Sequence, residues 1–489
     1  MSETNRFPLF IASFLTLIAA GMGFAIRGAI LDDWANDFTF TKAELGQITG
    51  GGLVGFGFII IFFSLFTDKV GYKPLLVLAF LMHVLSAGLT VAATPIYASM
   101  GKEATFQCLY WGMFMFAIAN GLCETVINPL TANLYPKQKT HYLNILHAGW
   151  PGGLIVGGIL AYLFCGSNAT VTTLRWEIPM MFFLIPTVVY GLIVLKEKFP
   201  VSEAAAAGVS YGRMFSIFAS PVFLLLLVLH AMVGYVELGT DSWITNIMEN
   251  VIPGNAILLF IYTSGLMFVL RFFAGPIVEK VNPVGLLLGS AVLGCLGLMF
   301  LSVADAAITI LAAATVYGLG KTFLWPTMLG VVGERFPQGG AIAMGALGGI
   351  GMLSAGLLGG PGIGYKQDYF ATQQLQQESE ATYEAYKSAK AKPFLTFPEI
   401  AGLDGEKVGA LKAKPEGELT PEETMVLDAN LHGGRMALRY TAFVPFMMAI
   451  GYLILVIYFW TKGGYKQEVL HGEEPDGERY TGGVEGPVE

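Results

Sequence analysis

Two ionisable residues of opposite sign stand at matching places in two similar apolar stretches of the chain. Residues 121–129 read GLCETVINP and residues 318–326 read GLGKTFLWP, so Gly, Leu, Thr and Pro coincide. The fourth place holds Glu124 in one copy and Lys321 in the other. Charged side chains in hydrocarbon are costly and usually serve substrate paths, proton relays or ion pairs. A duplicated membrane half with unlike charges at equivalent positions is typical of a transporter whose site lies on the repeat axis.

The charged residues of these stretches have more than one interpretation. Glu124 would either bind a solute hydroxyl or a proton, or neutralise Arg27 or Lys321. Lys321 is correspondingly a counter-ion or a substrate anchor. Arg27 either extends outward to the membrane surface or lines a cavity and binds a carboxylate through two hydrogen bonds.

Further polar residues lie inside predicted spans. Glu237 and Arg271 are charged, and Arg271 is expected to pair with an acid at a helix interface. The proline that ends each copy of the repeat is expected to bend its helix and to free carbonyl groups that line the cavity. His83 and His230 lie in apolar stretches, where we expect core residues with satisfied hydrogen bonds rather than ligands.

One helix face combines an amide, an imidazole and an indole, from Asn144, His147 and Trp150, which are spaced three residues apart. Such a set suits a sugar, because hydroxyl groups need donors and acceptors and the C–H face of a pyranose stacks on an aromatic ring. Trp325 offers a second aromatic platform in mid-span. The alternative for a single Trp is packing or anchoring at the lipid headgroups.

Composition indicates a membrane protein. Apolar residues make up 54% of the 489 residues and charged residues only 13%, and the mean hydropathy is +0.61. One or two soluble cores could not bury that much apolar surface. There is no basic cluster that would suggest nucleic acid, and no Walker loop, zinc-protease motif or nucleophile elbow that would suggest an enzyme. The four cysteines lie in or beside apolar runs and indicate neither disulfides nor a metal site, and we expect no cofactor.

Apolar runs of about 20 residues predict twelve membrane spans. A second offset supports two six-helix halves, because residues 23–28 resemble 234–239 and residues 68–70 resemble 279–281. We therefore predict a bundle at 1–199, a linker at 200–216 and a second bundle at 217–489. The predicted spans lie near 7–31, 45–66, 75–94, 106–133, 142–165, 177–195, 217–240, 257–278, 283–303, 306–332, 340–363 and 438–460.

The distribution of Lys and Arg between loops predicts that both termini are cytoplasmic, and the plasma (inner) membrane is the expected location. A long extra-cytoplasmic insertion follows at about 364–437. It carries helical sequence at about 368–392 and a second helix that Thr420 begins and Gly433-Gly434 ends. The insertion is either an outer cap of short helices or a lid or partner-docking element. The acidic, Gly-rich tail from about 463 is expected to be disordered.

A loop and a span end resemble signatures of the major facilitator superfamily. Residues 64–73, SLFTDKVGYK, are similar to its Gly-x-x-x-Asp-Arg/Lys-x-Gly-Arg/Lys-Arg/Lys loop, with Ser64 in place of the first Gly, and residues 334–337, ERFP, are similar to a second element. The resemblance implies an all-α membrane protein with twelve transmembrane helices in two pseudo-symmetric six-helix bundles. It also implies a cytoplasmic gate, for which we take Asp68, Lys69, Lys73, Glu279, Lys280 and Arg335.

Three segments resemble the fucose, galactose and glucose symporter branch of that superfamily: residues 124–129 (ETVINP), 143–148 (LNILHA) and 234–243 (GYVELGTDSW). The branch implies sugar uptake driven by protons or sodium, with Glu124 as a coupling or sugar-binding carboxylate. One departure is clear. Fucose-type members carry an acid near the middle of the first span, where this chain has Arg27 or Gly28.

Together these observations predict a monomeric secondary transporter in the lipid bilayer, moving a sugar or sugar-like solute with a proton, or alternatively sodium. Three intramembrane bases against two acids motivate an organic-anion or sugar-acid transporter as the alternative, and a non-transporting nutrient receptor is a third. The residues expected to bind the solute or couple the ion are Glu124, Asn128, Asn144, His147, Trp150, Arg27, Glu237, Lys321 and Trp325.

Overall fold

The chain is almost entirely helical in a computed structural model that describes residues 5–165, 169–252, 256–389, 391–470 and 484–485. Within these residues, 11 helical stretches are long and apolar enough to cross a membrane, and a shorter apolar helix spans Ala256–Arg271. The helices of the first half are α1 Arg6–Ala29, α2 Leu31–Phe38, α3 Lys42–Val70, α4 Tyr72–Val91, α5 Ala93–Leu134, α6 Lys139–Phe164, α7 Glu177–Met181, α8 Leu184–Lys196, α9 Glu203–Ala206 and α10 Tyr211–Ser216.

The second half continues with helices of similar length and adds four short strands. Its elements are α11 Pro221–Gly234, α12 Thr240–Glu249, α13 Ala256–Arg271, α14 Ala274–Leu301, α15 Ala307–Thr322, α16 Leu324–Arg335, α17 Gly340–Ser354, α18 Gly360–Glu378, α19 Glu380–Tyr386, β1 Lys392–Phe394, β2 Phe397–Ile400, α20 Gly405–Lys412, α21 Pro421–Thr441, α22 Phe443–Thr461, β3 Gln467–Glu468 and β4 Val484–Glu485. Strands β1 and β2 form an antiparallel pair, and β3 and β4 a parallel one.

Helices pack mainly on others of their own half. In the first half α1 packs against α6 and α8, and α5 against α3 and α4; in the second, α14 packs against α15 and α22, and α11 against α17. We call α1–α8 the first bundle and α11–α22 the second bundle. The bundles meet where α3 contacts α17 and where α6 contacts α13 and α16.

Glycine allows the closest helix crossings, as is common between membrane helices. A Cβ added at Gly153 of α6 would overlap the main chain of Ile18 in α1, and one at Gly320 of α15 would overlap that of Gly294 in α14. These contacts fix how closely the helices that carry the site residues approach one another.

The eighth and ninth spans lie close to the predicted 257–278 and 283–303, but the eighth span contains a break that the sequence did not predict. Helix α13 ends at Arg271, α14 begins at Ala274, and α14 is itself interrupted at Asn282, where φ is 55°. The Asn282 side-chain oxygen accepts a hydrogen bond of 2.9 Å from the Gly285 N–H. The eighth span therefore consists of α13 and the first turns of α14, and the break after Arg271 lies inside it.

Two spans contain a π-helical turn, Tyr235–Gly239 between α11 and α12 and Ala355–Gly359 between α17 and α18. The two turns pack against each other. A π turn rotates the side chains that follow it and occurs often at functional sites. The first of these turns carries Glu237.

The insertion differs from the prediction at its end. The Thr420 side chain does cap α21, accepting from the Glu423 N–H at 3.2 Å. However, α21 continues through Gly433-Gly434 to Thr441, so the prediction that these glycines end the helix is wrong. A Cβ at Gly433 would overlap the Gln367 carbonyl of α18, and the glycines thus serve close packing. The insertion has its own apolar core, formed by Leu375, Tyr383, Val408, Leu411, Val426 and Ala429.

Candidate functional site

A central cavity lies between the two bundles. About 20 Å³ of it is accessible to the centre of a water-sized sphere, which is room for water but not for a sugar. The cavity in this state is therefore contracted. Its lining comes from α5 and α6 of the first bundle and from the Tyr235–Gly239 turn, α13, α16 and α17 of the second: Glu124, His147, Trp150, Glu237, Leu238, Arg271, Trp325 and Met352.

On the first bundle's side, three polar groups form a hydrogen-bonded row. The Asn128 amide nitrogen donates to Glu124 Oε2 at 2.7 Å and to the Glu124 carbonyl at 3.0 Å. His147 Nε2 lies 2.9 Å from Asn128 Oδ1. Because an amide oxygen only accepts, Nε2 carries the proton in this arrangement. His147 thus orients Asn128, and Asn128 in turn holds the Glu124 carboxylate one helical turn away.

On the second bundle's side, Arg271 donates three hydrogen bonds and joins the two bundles. Its Nη2 is 2.9 Å from Glu237 Oε1, its Nη1 is 2.7 Å from the His147 carbonyl, and its Nε is 2.7 Å from the Thr322 carbonyl. The expected pairing of Arg271 with an acid is therefore present. Arg271 and Glu124 line the same cavity.

Proline explains why two main-chain carbonyls are available to Arg271. In a helix the His147 and Thr322 carbonyls would accept from residues 151 and 326, but both are proline and have no N–H. Arg271 supplies the missing donors, one in each bundle. Pro326 thus leaves the Thr322 carbonyl without a helical donor, as predicted, but Thr322 is not one of the residues that line the cavity. Pro151 has the same effect on the His147 carbonyl.

Lys321 does not meet Glu124 in this structure. It is fully buried, and its Nζ lies 2.5 Å from Asp241 Oδ1 and 5.3 Å from the centre of the Tyr317 ring. The pair predicted between Glu124 and Lys321 is therefore absent. Asp241, which was not counted among the intramembrane acids, lies four residues after Glu237, so that the two carboxylates follow each other along one helix face.

Arg27 also lies elsewhere than predicted. It is 2% exposed, donates to Ser86 Oγ at 2.9 Å, and lies over the rings of Phe116 and Phe183, 3.8 and 4.9 Å from their centres. It therefore points into the first bundle, neither outward to the membrane surface nor into the cavity. Within the described part of the chain no carboxylate pairs with it, and the predicted Glu124–Arg27 pair is absent. Cation–π contacts replace a counter-ion here.

The remaining predicted residues divide between the cavity and the seam between the bundles. Trp150 and Trp325 both line the cavity, and Trp150 also packs against Phe24 with ring centres 5.2 Å apart. Asn144 lies in the seam instead, where its amide nitrogen donates to Thr140 O at 2.8 Å and to Thr327 Oγ1 at 3.1 Å. Asn144 thus joins α6 to α16 outside the lining.

The bundles also contact each other at the end where α1 begins and α22 ends, which we call the termini face. Glu334 Oε1 accepts from the Thr140 hydroxyl at 2.7 Å and from its N–H at 3.1 Å. Asp68 Oδ2 accepts from the Ala341 N–H at 2.9 Å, and Lys139 Nζ donates to the Gly333 carbonyl at 3.0 Å. These contacts close the termini face.

Four other predicted gate residues form no hydrogen bond or ion pair between the bundles in the described part of the chain: Lys69, Lys73, Glu279 and Lys280. Lys73 Nζ donates to the carbonyls of Leu195 and Glu197, at 2.8 and 3.0 Å, within the first bundle. The side chains of Lys69, Glu279 and Lys280 are exposed on the termini face. Glu334, by contrast, belongs to the predicted 334–337 motif but was not predicted as a gate residue.

The start of the tail closes over this face as a strap, residues 465–468. The Tyr465 hydroxyl donates to Glu334 Oε2 at 2.7 Å, and Gln467 Nε2 donates to the Pro136 carbonyl of the first bundle at 2.6 Å. Arg335 donates to the Lys466 carbonyl at 2.6 Å and pairs with Glu468 at 2.9 Å. The predicted disorder from about 463 therefore does not hold for residues 465–468, because their polar groups bond to both bundles. Residues 471–483 and 486–489 lie outside the described residues.

Breaking the strap is expected to open the termini face more often. Tyr465→Phe combined with Gln467→Ala removes a hydrogen bond to a carboxylate and one to a carbonyl across the seam. The rate at which a maleimide labels a cysteine placed at the buried Ala132 should rise about two- to tenfold, since the neutral hydrogen bond that crosses the seam contributes about 0.5–1.5 kcal/mol. Tyr458→Phe, on the lipid-facing part of α22, is the matched control. An unchanged labelling rate would show that the strap does not hold the gate.

Comparisons with known proteins agree with this architecture. Residues 9–360 match the family model of the Major Facilitator Superfamily, and no curated protein matches the chain. Among solved structures the chain is similar to the E. coli fucose:proton symporter FucP, with 14% identity and a TM-score of 0.62 over 91% of this chain and 98% of that one. It is also similar to the proton:xylose symporter XylE, with 12% identity and a TM-score of 0.65 over 93% and 95%.

A bacterial homolog of the human lysosomal transporter Spinster is similar as well, with 15% identity and a TM-score of 0.64 over 94% of this chain and 99% of that one. At such identities the likeness shows the fold alone. Together with the helices described above, these matches confirm the predicted fold class, an all-α membrane protein.

Proposed function

The chain belongs to the major facilitator superfamily, and on that premise we propose that it carries a neutral sugar or sugar-like solute together with a proton. Membership makes it a multi-pass membrane protein and a secondary transporter that works by alternating access, not an enzyme. The two bundles would rock about the central cavity, which would open in turn to each side. The contracted cavity and the closed termini face fit one stage of such a cycle.

The charge pairing around the cavity carries the proposal of a neutral solute. Arg271 is paired with Glu237 and Lys321 with Asp241, and Arg27 points away into the first bundle. The bases that motivated the organic-anion alternative are therefore engaged. An anionic solute would approach two carboxylates and find a single guanidinium that is already bonded, so a neutral solute is favoured.

Glu124 is the group we assign to the proton. Among the described residues it has no ion pair, and its only hydrogen-bond donor is the neutral amide of Asn128. A lone carboxylate in a water-sized cavity gains most from taking up a proton. Protonation would remove its attraction for Arg271, and Arg271 links the bundles through the His147 carbonyl. In this proposal the base that responds to protonation of Glu124 is Arg271. The sequence had suggested Lys321 or Arg27 for that role.

The side chains that line the cavity are the reason for proposing a sugar as the solute. Trp150 and Trp325 offer aromatic faces, while Glu124 and His147 offer hydrogen-bonding groups, a combination suited to a pyranose. The resemblance of three segments to the fucose, galactose and glucose symporter branch supports the same choice. FucP and XylE, by their names, are proton symporters of sugars.

The sequence also indicates the orientation, the location and the gate of the protein. We propose that the termini face is cytoplasmic, that the protein lies in the plasma (inner) membrane as a monomer, and that each bundle moves as a unit. The gate at the termini face would include, besides Glu334, the residues Asp68, Lys69, Lys73, Glu279, Lys280 and Arg335.

A ligand screen followed by transport tests the function. Purified protein is screened by thermal shift against D-glucose, D-galactose, L-fucose, D-glucuronate and D-galacturonate, and the best ligand is assayed for uptake into proteoliposomes. We expect a neutral sugar to raise the unfolding midpoint and an inward proton gradient to drive its uptake, with collapse of uptake when a protonophore is added. Stabilisation by the uronates alone would instead support an anion transporter, and uptake driven by a sodium gradient would reject the proton.

A further inference from the structure

His230 is a buried imidazole without a hydrogen bond beside the central cavity. It lies on α11, is 0% exposed, and neither Nδ1 nor Nε2 has a partner among the described residues. A neutral imidazole offers one donor and one acceptor, and buried polar groups are otherwise almost always paired. The prediction that His230 is a satisfied core residue is therefore wrong.

His83 provides the contrast within the same chain. It is equally buried, but its Nδ1 lies 2.8 Å from the Tyr190 hydroxyl and its Nε2 lies 3.0 Å from Asn120 Oδ1. His83 is thus the satisfied core histidine that the sequence predicted. The two histidines differ in what surrounds them, and only His230 keeps both hydrogen-bonding positions free in this state.

Trp325 connects His230 to the cavity. The ring centres of His230 and Trp325 are 4.5 Å apart at an angle of 57°, and Trp325 is also part of the cavity lining. Both rings rest on Gly351 of α17, where a Cβ would come 2.8 Å from the indole and 2.9 Å from the imidazole. The indole therefore contacts the imidazole and the cavity at the same time.

The cavity must widen before a sugar fits, and Trp325 is one of the side chains that line it. We propose that His230 is a concealed solute-binding residue: solute entry shifts the Trp325 indole onto the C–H face of the sugar and exposes His230, which then hydrogen-bonds a sugar hydroxyl. The inference rests on the proposed function and adds a second-bundle contact to it. A hydroxyl matches this imidazole because it can accept from one ring nitrogen or donate to the other.

His230→Phe tests the proposal, with His83→Phe as the matched control. The probe is whichever of D-glucose, D-galactose and L-fucose stabilises the wild type most. We expect His230→Phe to leave the unfolding midpoint of the ligand-free protein unchanged or higher, because no hydrogen bond is lost, but to weaken affinity for the sugar about tenfold. His83→Phe should lower the midpoint, because it breaks two hydrogen bonds, and leave affinity unchanged.

Deoxy sugars distinguish a direct contact of His230 with the sugar from a purely structural role of His230. If His230 contacts one hydroxyl, one monodeoxy analogue should bind the wild type about tenfold more weakly than the parent sugar, yet bind His230→Phe as well as the parent does. Equal affinity of wild type and His230→Phe for the parent sugar would overturn the inference and leave the proposed function intact. If the wild type binds none of the three sugars, the proposed function fails and this inference fails with it.

Discussion

Glu124→Gln is expected to abolish uphill accumulation of the solute while leaving exchange of solute across the membrane intact. Glutamine keeps the shape of the side chain, and its amide oxygen still accepts the hydrogen bond that Asn128 donates at 2.7 Å. It cannot bind or release a proton, so it holds the site in the state that corresponds to a protonated Glu124. Transport would continue, but it would no longer be driven by the proton gradient.

The measurement compares two transport modes in proteoliposomes. For one proton per solute, the wild type should accumulate solute about tenfold for each unit of pH gradient, whereas Glu124→Gln should reach only equal concentrations. Counterflow exchange of labelled solute should remain within a few-fold of the wild type. Concentrative uptake by Glu124→Gln would exclude this carboxylate as the coupling group.

Glu334→Gln is the matched control. Glu334 is also fully buried, but it lies at the termini face and accepts from Thr140 and Tyr465. Its substitution should slow uphill uptake and exchange to the same extent, because it weakens a contact that closes the gate and touches no group in the cavity. If Glu334→Gln lost uphill uptake but kept exchange, the coupling group would lie at the gate and not in the cavity.

The fold could be predicted from the sequence because a membrane span depends mainly on the summed hydropathy of about 20 consecutive residues. Runs of apolar residues give the helices, and the repeat relates the two halves. Of the residues that the sequence analysis named, Glu124, His147, Trp150, Glu237 and Trp325 line one cavity in the structure.

The pairing of charges was not accessible in the same way, because it depends on side-chain direction and on local breaks in the helices. Symmetry placed Lys321 opposite Glu124, but Asp241 lies one turn beyond Glu237 and binds Lys321 instead. A sequence repeat shows which backbone positions are equivalent in the two halves. It does not show which carboxylate lies nearest to the lysine side chain, and the nearest one forms the ion pair.

Some contacts that the sequence analysis did not predict are nevertheless indicated by the sequence. A proline in a helix frees the carbonyl four residues before it, so the prolines at 151 and 326 indicate that the carbonyls of His147 and Thr322 need donors. Arg271 of the second bundle supplies both. By contrast, nothing in the composition of the tail indicated that Tyr465 and Gln467 would bond to the bundles.

The two buried ion pairs are expected to respond differently when both partners are removed. Lys321→Met alone leaves Asp241 without its cation and should cost about 3–5 kcal/mol of stability. In Lys321→Met combined with Asp241→Asn no charge is left unpaired, and Lys321 donates to no other described group. We therefore expect the double variant to recover most of the lost stability.

Arg271→Met should cost at least as much, but its rescue should be incomplete. Adding Glu237→Gln removes the unpaired carboxylate, yet the carbonyls of His147 and Thr322 still lack the donors that Arg271 gave them. Each unsatisfied buried acceptor costs about 1–3 kcal/mol, so the double variant should stay about 2–6 kcal/mol below the wild type. Thermal unfolding of the four variants in one detergent gives the comparison. Equal rescue of the two pairs would mean that the proline-freed carbonyls contribute nothing, and Arg271 would then be an ordinary ion-pair partner rather than the link between the bundles.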